Sequence, residues 1–197
     1  MDDTGWDDRY ATNEFIWNAG PNQFVEAHLK HLTPGTAIDL AAGEGRNAVW
    51  LAEKGWDATA VDFSAVGLEK ASRLAADRGV SITTVTADAT TWAPDEPVDL
   101  VVLAYFQLPS AQQVDVLERV RNWVKPGGTV FVVAHDRDNL EHGYGGPPTE
   151  DVLYEVDRTV AALEGLHVQI AEVAERHVEK DDEHHVALDT LVIARAG

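Results

Sequence analysis

The sequence predicts an α/β protein with a doubly wound, mostly parallel sheet of seven strands and helices on both faces. A short apolar run that ends at Asp39 is followed by a turn of small residues and then by a helical pattern, which is the opening unit of such a fold. Further runs of strand length alternate with helical periodicity as far as residue 134, as in a parallel sheet. The last two runs, 168–178 and 186–195, alternate polar and apolar residues across a short polar linker, which predicts an antiparallel C-terminal hairpin.

Local signals place the elements in order along the chain. Pro21 suits the first turn of a helix, and Ser64 is a good N-cap for the helix that follows the second strand. Ser110 and Gln113 form a capping-box pair for a helix, and Pro126-Gly127-Gly128 breaks this helix before the fifth strand. One predicted helix follows the glycine turn and ends at Lys54-Gly55, and the others cover residues 21–32, 64–77, 110–124 and 149–163. The predicted strands after the first cover 58–62, 81–86, 98–104 and 129–134.

Length and composition fit one domain over residues 1–197. Hydrophobic residues make up 45% of the 197 residues, which is enough for a single core. The chain has no apolar run long enough to span a membrane, and its acidic start, Met1-Asp2-Asp3, is unlike a signal peptide. It has no cysteine, which excludes disulfides and thiolate zinc sites. We therefore expect a cytoplasmic enzyme that does not associate with membranes.

The charge balance argues against a nucleic-acid partner. The formal net charge is −19, with 15 basic against 34 acidic residues. Proteins that bind nucleic acid neutralise phosphates with clustered lysine and arginine, and this chain has no basic run. The excess of carboxylates is typical of a protein that stays soluble because like-charged molecules repel each other.

The turn after the first strand is the most informative segment for function. It reads Asp39-x-Ala41-x-Gly43-x-Gly45, in which the glycines allow positive φ and let a ligand lie against the backbone. A pyrophosphate-binding turn has the pattern G-x-G-x-x-G. A carboxylate at the strand end, here Asp39, repels a pyrophosphate and favours a cationic ligand.

Two further aspartates follow the next two strands. Asp62 ends the second strand at close to the ~20-residue spacing from the glycine turn at which an acidic side chain meets ribose hydroxyls in such folds. A carboxylate suits two vicinal hydroxyls because it only accepts hydrogen bonds. Asp88 follows the third strand. Each aspartate alone could cap a helix or a turn, but three at successive strand ends favour a ligand site.

These motifs resemble those of the class I S-adenosylmethionine-dependent methyltransferases, whose first motif has the usual form Asp/Glu-x-Gly-x-Gly-x-Gly. The chain carries Ala41 in place of the first glycine. S-adenosylmethionine has a sulfonium and an ammonium and no phosphate, which suits Asp39. Within the class the chain is most similar to the tellurite-resistance and thiopurine methyltransferase-like group. The matching segments are Gly43-x-Gly45-Arg46-Asn47, Trp50-Leu51-Ala52-x-x-Gly55, Val61-Asp62-Phe63-Ser64 and Trp6-Asp7-Asp8-Arg9-Tyr10.

The resemblance implies a Rossmann-like fold and S-adenosylmethionine as the cofactor. It also implies that Asp88 binds the adenine amino group and that residues 1–35 form an arm and a helix that cover the cofactor site. The residues that it implies for cofactor binding are Trp6, Arg9, Tyr10, Asp39, Ala41, Ala42, Gly43, Gly45, Arg46, Asn47, Asp62, Phe63, Ser64, Leu68, Asp88, Ala89, Ala104 and Tyr105.

Candidates for the acceptor side follow strands four and five, because ligands of doubly wound sheets bind beyond the carboxyl ends of the strands. His135 is the candidate general base, since imidazole titrates near neutrality; the alternative is a histidine bonded to a neighbouring turn. Tyr105 either lines the acceptor pocket or packs in the core. The Gly- and Pro-rich segment 141–148 is a candidate lid. No metal site is expected, because strand alternation points His184 and His185 to opposite faces.

The expected reaction is in-line transfer of a methyl group to a small-molecule acceptor. Two alternatives stay open. One is an NAD(P)-dependent oxidoreductase, which shares the fold and the ribose carboxylate. The other is a non-catalytic protein that binds S-adenosylmethionine. The sequence leaves open which acceptor is methylated, on which atom, and whether the protein is a monomer or a homodimer.

Overall fold

A computed structural model describes residues 20–180 and 183–197 of the chain. Trp6, Arg9 and Tyr10, the arm residues predicted to bind the cofactor, lie outside the described residues. The described residues divide into two compact units, one that ends at Ala104 and one that begins at Tyr105. Within the described residues, no helix is both long enough and apolar enough to cross a membrane.

The N-terminal unit holds the predicted strand–turn–helix and the three strands that follow it. β1 pairs in parallel with β2 and β4, and β3 pairs in parallel with β2. Their carboxyl ends therefore meet at one edge, which brings the ends of β1 and β2 together. The elements described in this unit are α1 (Gln23–Leu29), β1 (Thr36–Leu40), α2 (Arg46–Glu53), β2 (Asp57–Asp62), α3 (Ala65–Asp77), β3 (Thr83–Thr86) and β4 (Val98–Ala104).

The C-terminal unit contains the predicted hairpin. β7 pairs antiparallel with both β5 and β6, so β6 runs in the same direction as β5. In this register, Asp189 of β7 faces His135 on one side and Ala174 on the other. The elements described in this unit are α4 (Ser110–Val120), β5 (Val124–His135), α5 (Asn139–His142), a 3₁₀ turn (Glu150–Val152), α6 (Val156–Ala162), β6 (His167–Lys180) and β7 (Glu183–Arg195).

The strands follow the order β3-β2-β1-β4-β5-β7-β6 in a seven-stranded sheet. The predicted fold class, an α/β protein with a mostly parallel sheet and a C-terminal antiparallel hairpin, is confirmed. Strand β4 has the predicted bounds. Ser64 caps α3 as predicted, since its Oγ accepts a hydrogen bond from the Gly67 amide at 3.0 Å.

One predicted helix start and one predicted capping box were wrong, because other side chains cap the helix or bond its capping residues. Asn22 caps α1 by accepting from the Phe24 amide at 2.9 Å, so the helix begins after Pro21 and ends at Leu29. The capping box at Ser110 and Gln113 does not form. Gln113 donates instead to the carbonyls of Leu108 and Val152, and Ser110 donates to the side chain of Asp151.

Two other predicted boundaries were overridden by strand pairing. The predicted helix over 110–124 ends at Val120, and β5 already begins at Val124. Pro126-Gly127-Gly128 therefore does not break the helix but lies within β5, where Gly127 and Gly128 exchange backbone hydrogen bonds with Ala196. The predicted helix over 149–163 is split. The Tyr154 amide donates to the His135 carbonyl, and this strand-like contact interrupts the helical path before α6.

Candidate functional site

The turn between β1 and α2 has the left-handed geometry that its small residues predict. Ala41, Gly43 and Gly45 have φ of +58°, +54° and +74°. Glycine adopts this region freely, whereas a residue with a Cβ is less stable there by roughly 1–2 kcal/mol. The backbone of Ala41 is therefore strained at the position where the usual motif has glycine, but it adopts the same left-handed region as Gly43 and Gly45.

Gly45 is required for packing as well as for backbone conformation. A Cβ at this position would overlap with the Cβ of Ala71 on α3 and lie 3.1 Å from its Cα. Gly45 is also the N-cap of α2. The missing side chain thus lets the start of α2 approach α3 closely, a role that the sequence motif alone did not indicate.

A buried ion pair connects the turn between β1 and α2 to α3. Lys70 Nζ lies 2.8 Å from Glu44 Oε1, and both side chains are almost fully buried. No sequence motif indicates this pair. The available signal was that Lys70 occupies the buried stripe of α3 that also contains Gly67, Ala71 and Leu74, where an unpaired lysine would be unfavourable.

Asp39 is a buried carboxylate at the start of this turn. It is 1% exposed, and its Oδ2 accepts a hydrogen bond from the Ala48 amide at 3.1 Å. Burial raises the pKa of Asp39 to about 7, although the Ala48 hydrogen bond and the charge of Arg46 act in the opposite direction. The nearby charge of Asp62 raises this pKa further. A cationic ligand at this point would relieve the unfavourable burial of the ionised carboxylate.

Asp62 bridges the end of β2 and the glycine turn. Its Oδ2 accepts from the Gly43 amide at 2.8 Å, and its Oδ1 accepts from the Ser64 amide at 2.8 Å. Both carboxylate oxygens can accept more than one hydrogen bond. The side chain is 6% exposed, so its contacts stabilise the turn in addition to any contact with a ligand.

Asp88 makes the turn-capping contacts that were the alternative interpretation. Its Oδ1 accepts from the amide and the hydroxyl of Thr90 at 2.8 and 2.7 Å. The side chain is exposed, unlike those of Asp39 and Asp62. Its binding to adenine stays a prediction.

The other predicted cofactor residues of the N-terminal unit lie around the same strand ends. Asn47 is buried and accepts from the Asn22 amide at 2.9 Å, and its side chain also bonds Asp39. Ser64 is buried as the cap of α3. Leu68 and Ala89 are buried, and the half-buried positions are Ala42, Arg46, Phe63 and Ala104.

In the C-terminal unit, Tyr105 and His135 converge on a buried carboxylate that the sequence analysis did not single out. Asp189 is fully buried, and its Oδ2 accepts from the Tyr105 hydroxyl and from Arg176 Nε, each at 2.7 Å. His135 Nδ1 lies 3.2 Å from Asp189 Oδ1. The rings of Tyr105 and His135 are 4.9 Å apart between centroids. Tyr105 also has φ of +58°, a strained value of the kind that clusters at functional sites.

Burial alone would raise the pKa of Asp189. The contact with His135 and the hydrogen bond and charge of Arg176 outweigh burial, so the pKa of this carboxyl lies below its ordinary value. Asp189 is therefore ionised at neutral pH. In this cluster of Tyr105, His135, Arg176 and Asp189, the ionised carboxylate of Asp189 therefore lies beside the imidazole of His135.

The predicted lid, residues 141–148, contacts other residues of the C-terminal unit at Gly145 and at Tyr144. Asn139 donates to the Gly145 carbonyl at 2.9 Å and accepts from the Leu188 amide at 2.7 Å. The rings of Tyr144 and His185 stack with centroids 3.8 Å apart. His184 has different neighbours, Glu179 and His177. Among residues 20–180 and 183–197, no group of three or more His, Cys, Asp or Glu side chains is arranged to hold a metal ion.

Residues 37–128 match the sequence model of a family described as a methyltransferase domain. A curated relative, the ribosomal RNA small subunit methyltransferase C of Alcanivorax borkumensis, is 31% identical over 108 residues, which are 52% of this chain and 33% of that protein. The chain thus spans about a third of the length of this curated relative.

Solved structures share the fold at low sequence identity. TehB from Haemophilus influenzae is 16% identical with a TM-score of 0.74, covering 99% of this chain and 67% of that one. The N-methyltransferase NodS from Bradyrhizobium japonicum, solved with S-adenosyl-L-homocysteine, is 15% identical with a TM-score of 0.74, covering 98% and 97%. A protein solved in a study of the conversion of a disulfide bond into a thioacetal group during echinomycin biosynthesis is 17% identical with a TM-score of 0.79, covering 98% and 91%.

Proposed function

We propose that this chain, whose residues 37–128 match the model of a methyltransferase domain, is a class I S-adenosylmethionine-dependent methyltransferase that acts on a small-molecule acceptor. The family match and the fold shared with TehB and NodS support the predicted class and its cofactor, S-adenosylmethionine. The acceptor and the roles of individual residues belong to the proposal.

The observation that carries the proposal is the pair of buried carboxylates at the glycine turn. Asp39 and Asp62 act on each other electrostatically, and a site with two such groups favours a cation over a phosphate. A dinucleotide would need the turn amides for its pyrophosphate. The Gly43 amide already donates to Asp62 at 2.8 Å, which disfavours the oxidoreductase alternative.

The charge of the chain supports a small acceptor rather than a nucleic acid. The curated relative acts on ribosomal RNA by its name, but a net charge of −19 with only 15 basic residues opposes the approach of a polyanion. The match to that relative covers about half of this chain, so it supports a shared methyltransferase domain without implying a shared acceptor.

Binding of S-adenosylhomocysteine tests the proposal directly. We expect this product to stabilise the folded protein by about 2.7 kcal/mol at a hundredfold excess over its dissociation constant. NADH should leave the melting temperature unchanged, because the turn carries carboxylates where a pyrophosphate would lie. A thermal-shift titration measures both, and a response to NADH alone would contradict the proposal.

Replacing Asp62 should weaken cofactor binding. Asp62→Ala would also leave the amides of Gly43 and Ser64 without their acceptor, so Asp62→Asn is the cleaner variant because it retains one acceptor oxygen. A hydrogen bond to a charged group contributes about 1.5–3 kcal/mol, and we expect the affinity for S-adenosylhomocysteine to fall about tenfold or more. Isothermal titration calorimetry measures the change.

A matched control is Asp99→Asn, which alters a carboxylate that accepts from the Thr36 amide at 2.8 Å near the opposite ends of β1 and β4. Its affinity for S-adenosylhomocysteine should equal that of the unmodified protein. Equal affinities for the two variants would show that Asp62 only stabilises the turn.

A further inference from the structure

We propose that Asp189 is a positioning residue that fixes the tautomer of His135, so that His135 Nε2 takes a proton from the acceptor. The acceptor is then a molecule whose nucleophilic oxygen, nitrogen or sulfur carries a proton at neutral pH. This inference rests on the proposed methyl transfer and deepens it, because it names the chemical class of the acceptor and a residue that no motif indicated.

Strand register brings the two side chains together. His135 of β5 and Asp189 of β7 are direct partners in the antiparallel ladder, and Cβ atoms of such partners lie about 4.5–5.5 Å apart on one face. His135 Nδ1 and Asp189 Oδ1 are 3.2 Å apart. Both atoms are buried, and in the described part of the chain neither has an aligned hydrogen-bond partner.

The proton on His135 follows from this contact. An unprotonated Nδ1 would place a lone pair against an ionised carboxylate oxygen, and two acceptors at 3.2 Å in a buried site repel each other. A proton on Nδ1 turns the contact into an attraction. In a neutral imidazole the lone pair is then on Nε2, which is the form needed for a general base.

Arg176 and Tyr105 keep Asp189 in its ionised form. Both donate to Oδ2 at 2.7 Å, which leaves Oδ1 to His135. The Tyr105 hydroxyl is thus engaged with Asp189, and we assign Tyr105 to positioning rather than to catalysis. Arg176 Cζ also lies 5.5 Å from the centroid of the Tyr105 ring. Arg176 and Tyr105 therefore contact each other as well as Asp189.

The glycine-rich segment 141–148 packs closely against the imidazole of His135 at Gly146. Gly146 has φ of +81°, and a Cβ there would lie 3.0 Å from His135 Cγ and 3.1 Å from Nδ1. The backbone of this segment therefore covers the Nδ1 edge of the ring. The side chain of His135 is 13% exposed, and because Nδ1 is buried this exposure belongs to other atoms of the side chain.

The proposed step balances without a further reactant. A lone pair of the acceptor atom attacks the methyl carbon of S-adenosylmethionine, the bond to carbon forms, and the carbon–sulfur bond breaks with its electron pair left on sulfur. The proton of the acceptor atom moves to His135 Nε2. The imidazolium that forms is stabilised by Asp189 and then releases the proton to water.

The first test reads the tautomer of His135 in the full chain. Long-range ¹H–¹⁵N correlation spectra, with His135 assigned by comparison with His135→Gln, should show the Nδ1–H tautomer at neutral pH. Asp189→Asn should shift the population toward Nε2–H. Asp136→Asn is the matched control, because Asp136 is also buried and bonds Thr190 and the Asp138 amide. It should leave the tautomer unchanged.

An Nε2–H tautomer in the unmodified protein overturns the proposal, and so does an equal response to Asp189→Asn and Asp136→Asn. If Asp189→Asn does not fold, the spectrum of the unmodified protein still decides. The result is independent of S-adenosylhomocysteine binding, which reports separately on the proposed function.

The second test addresses the acceptor class. A library of small nucleophiles is screened for release of S-adenosylhomocysteine, with phenols, alcohols, thiols and amines in one half and thioethers, tertiary amines and oxyanions in the other. We expect turnover only in the first half, and a loss of kcat on the order of 100-fold in Asp189→Asn with an unchanged KM for S-adenosylmethionine. Turnover in the second half, or none in the first, overturns the assignment.

Discussion

Gly45→Ala is expected to destabilise the protein by about 2–5 kcal/mol. A residue with a Cβ at φ of +74° is less stable by roughly 1–2 kcal/mol. Overpacking against Ala71 adds roughly 1–3 kcal/mol, because the overlapping atoms belong to the side chain and backbone of a neighbouring helix. Urea denaturation of the full chain, with and without S-adenosylhomocysteine, measures the loss.

Two variants separate the causes of this effect. Gly79→Ala has a similar φ of +69° but no atom within 4 Å of the new Cβ, so only the backbone contribution of about 1–2 kcal/mol is expected. Ala71→Gly in the Gly45→Ala background removes the overlapping Cβ and should restore part of the stability. Equal losses for Gly45→Ala and Gly79→Ala would show that packing against α3 is unimportant.

The second large effect is a pH dependence that arises from Asp39. The pKa of its carboxyl is raised from 3.8 to about 7 by burial, so the folded protein holds this proton more tightly than the unfolded chain. Its contribution to stability is complete below about pH 4 and is lost as the pH rises through 7. The linkage relation gives a loss of about 4 kcal/mol over this interval.

Asp39→Asn should abolish this part of the pH dependence and stabilise the ligand-free protein at pH 8, because the amide carries no charge and retains an oxygen for the Ala48 amide. Asp57→Asn makes the same charge change at an exposed position at the start of β2 and should not alter the slope. The free energy of unfolding measured from pH 4 to pH 8 compares the three proteins. Identical slopes would contradict the assignment of this pKa to Asp39.

The features predicted from sequence are those whose cause is local. The turn from Asp39 to Gly45 is specified by small residues between a strand and a helix, and the cap at Ser64 is specified by its own side chain. The capping box failed because the partners of Gln113 and Ser110 lie some 40 residues away, at Val152 and Asp151. A local motif cannot compete with hydrogen bonds that only the fold supplies.

The polar clusters were missed for the same reason. Asp189 reads as one polar residue in an alternating strand, and only the register of β5 with β7 places it beside His135. Glu44 and Lys70 are likewise 26 positions apart. Lysine on a buried helical stripe signalled that a partner exists, but not which residue it is.

The central claim is that the turn after β1 and the carboxylate at the end of β2 bind S-adenosylmethionine. A crystal structure of the complex with S-adenosylhomocysteine tests it most directly. We expect the ribose hydroxyls on the carboxylate of Asp62, the adenine amino group at Asp88, and the ammonium end of the ligand close to Asp39. A ligand bound away from the turn, with Asp62 still engaged only with protein groups, would contradict the claim.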